Sequence, residues 1–338
     1  MTRPAIGLLG TGSYLPERRV SNEEIAARVP DVTPDWIVRK TAIRSRRFAA
    51  DHEATSDLAA KAVSRALEHA GLPPGRVDYL IVATSTGDFP QPPTASIVQG
   101  LTATTAAACL DINVVCTGFV YGLELARCLV SANPGTHAVV AGADVYSRIL
   151  DFGDRRTAIL FGDGAGAAVV GEVQPGYGII DVELGTRGDA EHLIKVPAGG
   201  SRFPASARTV ADGGHYFTMR GRDVREFVLG NVPPVLEKLL ARVGTGLAEI
   251  DCFVPHQANG VLLEELAGQC GLADTHTHLV LDRYGNIGSA SVPVALDDAV
   301  RSGVIGDGSL VLLAAFGGGM SVGGALLRWC SPSEGMAR

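Results

Sequence analysis

Hydrophobic and polar positions alternate along this chain in two distinct patterns. Short and continuous apolar runs recur at residues 79–84, 137–143 and 250–254. Such runs are typical of strands that a sheet buries on both faces. Between the runs, apolar residues recur at helical spacing, and the clearest example is residues 57–70. The alternation of strands with helices predicts a layered α/β fold.

The helix predicted over residues 57–70 has sequence signals at both ends. Ser56 stands immediately before it, where a side-chain oxygen can accept hydrogen bonds from the free N–H groups of the first turn. Gly71 stands immediately after it, where the left-handed conformation of a helix end favours glycine. We therefore expect Ser56 to be the N-cap and Gly71 to end the helix.

Two pairs of segments suggest a duplication within the chain. Residues 157–170 and 312–326 both read as an apolar strand, Phe-Gly, a glycine turn and a second strand of small residues. Residues 111–126 and 282–299 both run from a strand through a tight turn into an amphipathic helix. Duplicated halves explain both pairs economically, and the alternative is a chance likeness between short, glycine-rich segments.

Composition and charge narrow the class of protein. The chain has 338 residues, of which 46% are hydrophobic and 19% charged, so it can bury a large core and is not disordered. Its 36 acidic and 29 basic residues give a net charge of −7, which argues against a general nucleic-acid binder. The uncharged segment 308–327 contains a run of three glycines, so we expect two buried strands joined by a glycine turn rather than a membrane span.

The cysteine pattern bears on the cellular compartment. The six cysteines include no CxxC pair, and the N-terminal apolar run 6–9 is too short for the core of a secretion signal. We therefore expect free thiols in a cytoplasmic protein.

Three polar residues follow predicted strands at positions suited to catalysis. Cys116 lies between a strand-like run and a helix, where the helix N-terminus favours a thiolate, although a lone cysteine is more often structural. His256 follows the run 250–254, and Asn286 lies in a glycine-rich turn before another helix. Taken singly, the histidine and the asparagine are also ordinary turn residues. Together, at three predicted strand-to-helix junctions, the three residues indicate a site far more strongly than any one of them does alone.

Two further motifs do not complete a site. Residues 10–15 begin like a dinucleotide fingerprint but lack its third glycine, and Pro16 follows where a helix should start. His276 and His278 form an HxH pair without a third ligand nearby. We therefore expect neither a nicotinamide cofactor nor a metal.

Seven stretches spread over nearly the whole chain form a recognisable set. They are 10–25 (GTGSYLPERRVSNEEI), 35–46 (DWIVRKTAIRSR), 111–119 (DINVVCTGF), 159–170 (ILFGDGAGAAVV), 254–259 (VPHQAN), 284–300 (YGNIGSASVPVALDDAV) and 315–327 (AFGGGMSVGGALL). In this order and spacing they resemble the β-ketoacyl-acyl-carrier-protein synthase III family of the thiolase superfamily. The resemblance implies a homodimer with a duplicated, five-layered αβαβα fold. Its halves would be residues 1–172, with the cysteine, and 173–338, with the histidine and the asparagine.

The resemblance also implies roles for the candidate residues. Cys116 would take the acyl group from an acyl-CoA, and His256 and Asn286 would hold the thioester carbonyl of malonyl-acyl carrier protein. Two such donors stabilise the enolate that decarboxylation leaves. The backbone N–H groups of Cys116 and Gly318 would bind the oxyanion of the condensation step. The family requires no metal or redox cofactor.

Further positions match the family's substrate-binding residues. By resemblance, Trp36 and Arg155 stack against the adenine of CoA, and Gly221 and Asn259 border the pantetheine arm. Phe316 belongs to the same substrate site.

The acyl pocket departs from the pattern of some family members. Residues 91–94 (QPPT) replace a bulky phenylalanine there. Pro92 and Thr94 are therefore predicted to line a pocket that accepts a larger or branched acyl group.

The surface expected to bind the carrier protein also departs from the family. Glu226 and Val261 stand where the family has basic residues for this acidic partner, although Arg220, Arg222 and Arg225 are available to compensate.

The leading hypothesis is thus a decarboxylative condensing enzyme of fatty acid or polyketide initiation. The alternative is an acyltransferase of natural-product biosynthesis that moves an acyl group to a carrier protein, hydroxyl or amine without forming a C–C bond. A catalytically silent subunit is disfavoured because the chain retains Cys116.

Overall fold

A computed structural model describes residues 4–331 of the chain. The strands are β1 (Ala5–Tyr14), β2 (Arg18–Ser21), β3 (Ser45–Phe48), β4 (Tyr79–Ala83), β5 (Ala108–Ile112), β6 (Ala138–Val145), β7 (Asp163–Val173), β8 (Gly178–Thr186), β9 (Ile194–Lys195), β10 (Thr218–Met219), β11 (Cys252–Pro255), β12 (His276–Thr277), β13 (Leu310–Gly317) and β14 (Ser321–Arg328). The helices are α1 (Asn22–Arg28), α2 (Pro34–Thr41), α3 (Thr55–Ala70), α4 (Thr94–Thr102), α5 (Gly118–Ala132), α6 (Ala207–Ala211), α7 (Gly221–Val243), α8 (Gly260–Gln269), α9 (Leu281–Tyr284) and α10 (Ser291–Arg301). Strands alternate with helices along the chain, as predicted.

Two sheets, each of five strands, form the framework of the described part of the chain. The first has the order β1-β7-β6-β4-β5, and the second, read from its corresponding edge, has the order β8-β14-β13-β11-β12. In each sheet the last three strands of that order are parallel, and the first two are each antiparallel to their neighbour. The two sheets therefore repeat one topology, as the predicted duplication requires.

Helices cover both sheets and separate them. Because neighbouring strand residues point to opposite faces, Leu80 and Val82 of β4 pack outward with α3, whereas Ile81 packs inward with Phe119 of α5. Helices α5 and α10 fill the space between the sheets, and α7 and α8 cover the outer face of the second sheet. The layers follow the order α-β-α-β-α, so the predicted five-layered fold is confirmed.

The apolar character of α5 follows from its central position. Among the described residues, only the segment Val115–Ala132 is long and apolar enough for a membrane-spanning helix, and 50% of it is buried inside the protein. Its side chains Phe119 and Leu123 belong to the hydrophobic cluster between the sheets. The uncharged segment 308–327 forms β13 and β14, joined at Gly318–Met320, as predicted.

The start of α3 differs from the prediction. Gly71 ends the helix in the left-handed conformation, as expected, but the N-cap is Ala54 rather than Ser56. The carboxylate of Asp57 accepts a hydrogen bond from the Ala54 N–H at 2.8 Å, and the Ser56 N–H donates to Asp88 at 2.9 Å. The Ser56 prediction was wrong because carboxylates satisfy these N–H groups.

Two strands predicted from the internal repeats are absent. Residues 158–160 form a turn, and residues 282–284 lie in the short helix α9. Ile159 and Leu160 line a cavity instead. These predictions were wrong because a short apolar run does not distinguish a buried strand from other buried segments.

Candidate active site

A cavity of about 780 Å³ collects side chains from distant parts of the chain. Cys116 reaches it from the turn before α5, His256 from the end of β11 and Asn286 from the turn before α10. Open α/β sheets place their sites at such strand ends. The structure therefore brings the three predicted catalytic residues to one cavity.

The backbone around Cys116 is tightly constrained. The preceding residue, Val115, adopts φ 47°, which is unusual for a β-branched residue and turns the chain sharply into α5. A Cβ atom added at Gly317 would lie 2.7 Å from the Cys116 Cβ and 3.2 Å from its Sγ. The backbone N–H groups of Gly318 and of Cys116 itself act to lower the pKa of the thiol. The nucleophile candidate is thus held between two backbone segments.

Burial determines the ionisation of Cys116. Desolvation, followed by the nearby Asp144, raises the pKa of the thiol to about 12, although Tyr146 and the backbone N–H groups partly oppose this shift. The helix N-terminus was expected to favour a thiolate, but burial outweighs that contribution. The thiol is therefore protonated at neutral pH in the free protein.

His256 is a neutral imidazole at the inner end of β11. Its backbone N–H donates to the Ala314 carbonyl at 2.7 Å, and its ring packs edge-on against Phe316 with a centroid distance of 5.3 Å. Complete burial lowers the pKa of His256 to about 3, and among residues 4–331 its Nδ1 has no hydrogen-bond partner. The ring is thus available to hydrogen-bond a ligand in its uncharged form.

The next residue, Gln257, fixes the turn that carries His256. Its amide oxygen accepts hydrogen bonds from the Val280 N–H at 2.9 Å and the Leu281 N–H at 3.2 Å. Its amide nitrogen donates to the Pro255 carbonyl at 2.7 Å. Gln257 was not among the predicted site residues, although a polar residue in the middle of the PHQAN segment is a usable signal.

Asn286 presents its amide nitrogen to the cavity. Its Oδ1 accepts a hydrogen bond from the Gly288 N–H at 2.9 Å, so the side chain is oriented and its NH₂ group remains available as a donor. Its backbone bonds Leu160 at 2.9 Å and Gly162 at 2.8 Å. These bonds anchor the turn in both directions.

The mouth of the cavity is positively charged. Its lining includes no aspartate or glutamate among the described residues. The guanidinium of Arg155 lies 5.6 Å from the centroid of the Trp36 ring. The basic residues that line the cavity are Lys40, Arg155, Arg156, Arg222 and Arg225. Such a mouth suits an anionic ligand with a flat ring system.

Comparison with known proteins places this geometry in a family. Residues 110–188 match the family described as 3-oxoacyl-[acyl-carrier-protein (ACP)] synthase III, and residues 240–329 match its C-terminal domain. A relative named acetoacetyl CoA synthase NphT7, from Streptomyces sp. (strain CL190), is 49% identical across 97% of this chain and 100% of its own. The β-ketoacyl-[acyl-carrier-protein] synthase III of Caldanaerobacter subterraneus subsp. tengcongensis is 43% identical across 96% and 98%.

This chain belongs to the 3-oxoacyl-[acyl-carrier-protein] synthase III family. A solved structure supports the assignment: the priming β-ketosynthase of the R1128 polyketide pathway has a TM-score of 0.90 and 32% identity, with 98% of each chain covered. The protein is thus a synthase III-like condensing enzyme with a thiolase-like fold, and it is an acyltransferase.

The predicted CoA-binding residues of this synthase III-like protein share the cavity. Trp36, Arg155, Gly221, Asn259 and Phe316 all line it. Asn259 also has a structural task, because its Oδ1 accepts the first N–H groups of α8 and its Nδ2 donates to the Lys40 carbonyl at 2.9 Å. One N–H of its amide remains for a ligand.

The two predicted acyl-pocket residues lie elsewhere. Pro92 is exposed, and neither Pro92 nor Thr94 lines the cavity. The Thr94 N–H donates to Asp111 of β5 at 2.6 Å, and its hydroxyl accepts a bond from the Asp88 N–H at 3.3 Å. Within a single chain, these residues belong to the edge of the first sheet.

A buried carboxylate that the sequence analysis missed lies beside the site. Asp144 accepts hydrogen bonds from the Ser85 N–H at 2.9 Å and from the Ser289 N–H at 2.8 Å. It thereby ties the turn before α10 to the first sheet. Desolvation by burial raises the pKa of Asp144. Its position immediately after the apolar run 137–143 was a signal of the same kind that singled out His256.

Proposed function

We propose that Cys116 is the nucleophile of a two-stage reaction. In the first stage its sulfur attacks the carbonyl of an acyl-CoA, and the CoA thiol leaves with the proton of the cysteine. In the second stage a malonyl thioester loses carbon dioxide, and the resulting carbanion carbon attacks the acyl-Cys116 carbonyl. The C–S bond breaks, so the enzyme thiolate is regenerated and the β-ketoacyl thioester leaves.

His256 and Asn286 would stabilise the enolate of the second stage. The observation that carries this proposal is that both side chains reach the cavity of Cys116 with nitrogen atoms that have no hydrogen-bond partner in the described part of the chain. Because His256 is neutral, it donates an N–H without adding a charge that would also hold the substrate carboxylate. The backbone N–H groups of Cys116 and Gly318, which act to lower the pKa of the thiol, would bind the second oxyanion.

Intact-protein mass spectrometry tests the first stage. Incubation with short and branched acyl-CoAs should add one acyl mass, and Cys116→Ala should abolish that addition. Cys128→Ala is the matched control, because this exposed thiol lies outside the cavity and its loss should leave the labelling unchanged. Full turnover by Cys116→Ala would refute the proposal.

The mouth of the cavity would hold CoA. Trp36 and Arg155 would stack on the adenine, basic residues would bind the phosphates, and Gly221 and Asn259 would border the pantetheine arm beside Phe316. Replacing Trp36 with Ala should raise the KM for acyl-CoA several-fold and leave the maximum acylation rate nearly unchanged. A fall in that maximum rate without a change in KM would contradict this assignment.

The malonyl donor distinguishes two candidate functions. Condensation with malonyl-acyl carrier protein is the family reaction, but Glu226 is exposed and Val261, 51% exposed, occupies the cavity mouth. Arg225 is paired with Glu265, which leaves less free positive charge for an acidic carrier. Together with the 49% identical acetoacetyl CoA synthase, these contacts favour malonyl-CoA as a second donor.

A product assay separates these reactions. The acyl-enzyme is offered malonyl-carrier protein or malonyl-CoA, and product mass and released carbon dioxide are measured. Val261→Arg should improve use of the carrier protein more than use of malonyl-CoA. Acyl transfer to a hydroxyl, an amine or the carrier without carbon dioxide release would instead support the acyltransferase alternative.

We further propose that the enzyme is a homodimer assembled along β5. This strand ends its sheet, yet its Leu110 and Ile112 are half-buried apolar residues suited to a partner strand. Phe89 in the neighbouring loop is 60% exposed. In such a dimer, Pro92 and Thr94 would contribute to the acyl pocket across the interface. Phe89→Asp should yield monomers in light scattering, whereas an unchanged dimer would oppose this arrangement.

The remaining assignments complete the proposal. The boundary between the halves would lie between residues 172 and 173. Apart from the last residue of β7, this boundary leaves all strands of the first sheet in one half and all strands of the second sheet in the other. The unpaired state of all six cysteines and the use of CoA thioesters favour a cytoplasmic enzyme. Thioester exchange and decarboxylation need only a nucleophile and hydrogen-bond donors, so we propose that the enzyme uses no cofactor.

A further inference from the structure

Arg46 is a buried basic residue that the proposed reaction does not use. It lies in β3, within the basic segment 44–47 (RSRR), and yet it is 0% exposed. One terminal nitrogen donates to the Oδ1 of Asn22 at 2.7 Å, and the other donates to the backbone carbonyl of Ile159 at 2.7 Å. Burial lowers the pKa of Arg46 to about 10, so its guanidinium is still charged at neutral pH. Both hydrogen bonds are therefore charge-assisted.

Packing alone does not account for an arginine at this place. Both acceptors are uncharged oxygens, and among residues 4–331 the Nε of Arg46 has no hydrogen-bond partner. Removing a guanidinium from water costs free energy that bonds to neutral oxygens offset only in part. An apolar side chain of similar size would fill the same space without that cost. What an apolar side chain lacks is a donor for the carbonyl of Ile159.

The Ile159 carbonyl belongs to the turn that holds Asn286. Within this turn, the Leu160 carbonyl accepts a hydrogen bond from the Asn286 N–H at 2.9 Å. The Gly162 N–H donates in turn to the Asn286 carbonyl at 2.8 Å. The backbone of residues 159–162 is therefore bonded to Arg46 on one side and to Asn286 on the other.

The same segments are in close contact, so a shift in one reaches the others. A Cβ atom added at Gly162 would lie 3.0 Å from the Arg46 Cβ and 2.5 Å from the carbonyl oxygen of Tyr284. Strand β3 is also fastened to the chain before Asn286, because the Ser45 hydroxyl donates to the Arg283 carbonyl at 3.0 Å. These contacts leave little free space between β3, the turn 159–162 and the segment that leads to Asn286.

We propose that Arg46 is a positioning residue that holds the side-chain amide of Asn286 in place through the backbone of residues 159–162. This inference rests on the proposed role of Asn286 as an enolate-binding group in the second stage. Acylation of Cys116 precedes that stage and does not use the amide. A displaced Asn286 would therefore slow decarboxylation and condensation but leave acylation nearly unaffected.

Arg46→Met tests the inference, because it keeps an unbranched apolar stem and removes both donors. Two single-turnover rates are measured by intact-protein mass spectrometry at saturating substrate. The first is acylation of Cys116 by acyl-CoA, and the second is consumption of the acyl-enzyme by the malonyl thioester that the wild type uses. We expect the second rate to fall about tenfold and the first to stay within about twofold of wild type, because a shift below 1 Å costs less than the 100-fold typical of a full 1 Å misplacement.

Arg47→Met is the matched control. This neighbouring arginine also donates to backbone carbonyls, those of Pro16 at 3.3 Å and Glu17 at 2.7 Å, but neither residue lines the cavity. Its loss should leave the ratio of the two rates unchanged, whatever it does to the thermal midpoint. A merely structural residue affects both stages alike. Equal losses of both rates in Arg46→Met, or no loss, would therefore overturn the inference.

Arg46→Lys keeps the test decisive if Arg46→Met does not fold. Lysine retains the charge but presents its donors on one nitrogen rather than on a fork that spans both acceptors, so we expect about a threefold loss confined to the second rate. Wild-type rates or equal losses in this variant would again overturn the inference. If the wild-type protein itself failed to acylate Cys116 or to consume the acyl-enzyme, the proposed function would fail instead, so the two failures are distinguishable.

Discussion

Gly317 approaches the nucleophile so closely that a single added methyl group should disable it. Its φ of 178° is extended backbone that any residue adopts, so Gly317→Ala introduces no conformational strain of its own. The added Cβ would, however, lie 2.7 Å from the Cys116 Cβ and 3.0 Å from its backbone N. The perturbation is therefore steric and acts directly on Cys116.

The required displacement follows from these distances. Carbon atoms in contact lie about 3.5 Å apart or more, so one of the two segments must move by about 0.8 Å. Cys116 stands between the strained Val115 and the start of α5, and Gly317 belongs to the central strand β13, so neither moves freely. Overpacking of this kind costs about 1–3 kcal/mol, and a displacement near 1 Å at a nucleophile costs about 100-fold in rate.

The assay is single-turnover acylation of Cys116 by acyl-CoA, with thermal unfolding measured in parallel. Gly317→Ala should acylate about 100-fold more slowly and unfold at a lower temperature. Gly230→Ala is the matched control, because this exposed glycine in α7 has no atom within 4 Å of an added Cβ. Its acylation rate should be unchanged and its stability equal or higher. A wild-type acylation rate in Gly317→Ala would show that the backbone yields, and the steric argument would fail.

Three further predictions concern the other groups of the site. Asn286→Asp retains the oxygen that accepts the Gly288 N–H but loses the NH₂ donor. Acylation of Cys116 should therefore persist, while carbon dioxide release and condensation fall at least about 100-fold. Equal losses in both stages would contradict this prediction. Burial lowers the pKa of His256 to about 3 in the folded state, whereas an unperturbed histidine has a pKa of about 6.5. As the pH falls below about 6.5, the imidazole is therefore protonated in the unfolded chain but not in the folded one. The free energy of unfolding should accordingly fall by about 2 kcal/mol between pH 7 and pH 5. Urea unfolding of wild type and His256→Gln at both pH values measures this, and an identical pH dependence would refute it. Gln257→Leu leaves the N–H groups of Val280 and Leu281 buried without an acceptor and should cost about 2–3 kcal/mol in urea unfolding, whereas wild-type stability would show that other acceptors replace the amide.

Local pattern was sufficient to predict the alternation of elements. The apolar runs 79–84 and 250–254 correspond to β4 and β11, and Gly71 ends α3 as expected. These features depend on residues close together in the chain, where period and capping chemistry are visible. The strand predicted at residues 158–160 was wrong, because Ile159 and Leu160 of this apolar run line the cavity from a turn.

The sequence by itself thus determined the fold class, the duplicated halves as a hypothesis, the family and the three residues that meet in the cavity. Only the tertiary structure decided their chemical state. Burial raises the pKa of Cys116 and lowers that of His256, and both effects come from surroundings assembled from the whole chain.

Long-range contacts also decided which neighbours serve the site. Asp144 bonds Ser289, which is 145 residues away, and the backbone at Gly317 lies against Cys116 although the two residues are far apart in the chain. Pro92 and Thr94, which the family resemblance assigns to the acyl pocket, lie at the edge of the first sheet within one chain, so their place in the pocket stays a prediction. Desolvation and close approach depend on which distant segments pack together, and no local pattern records that packing.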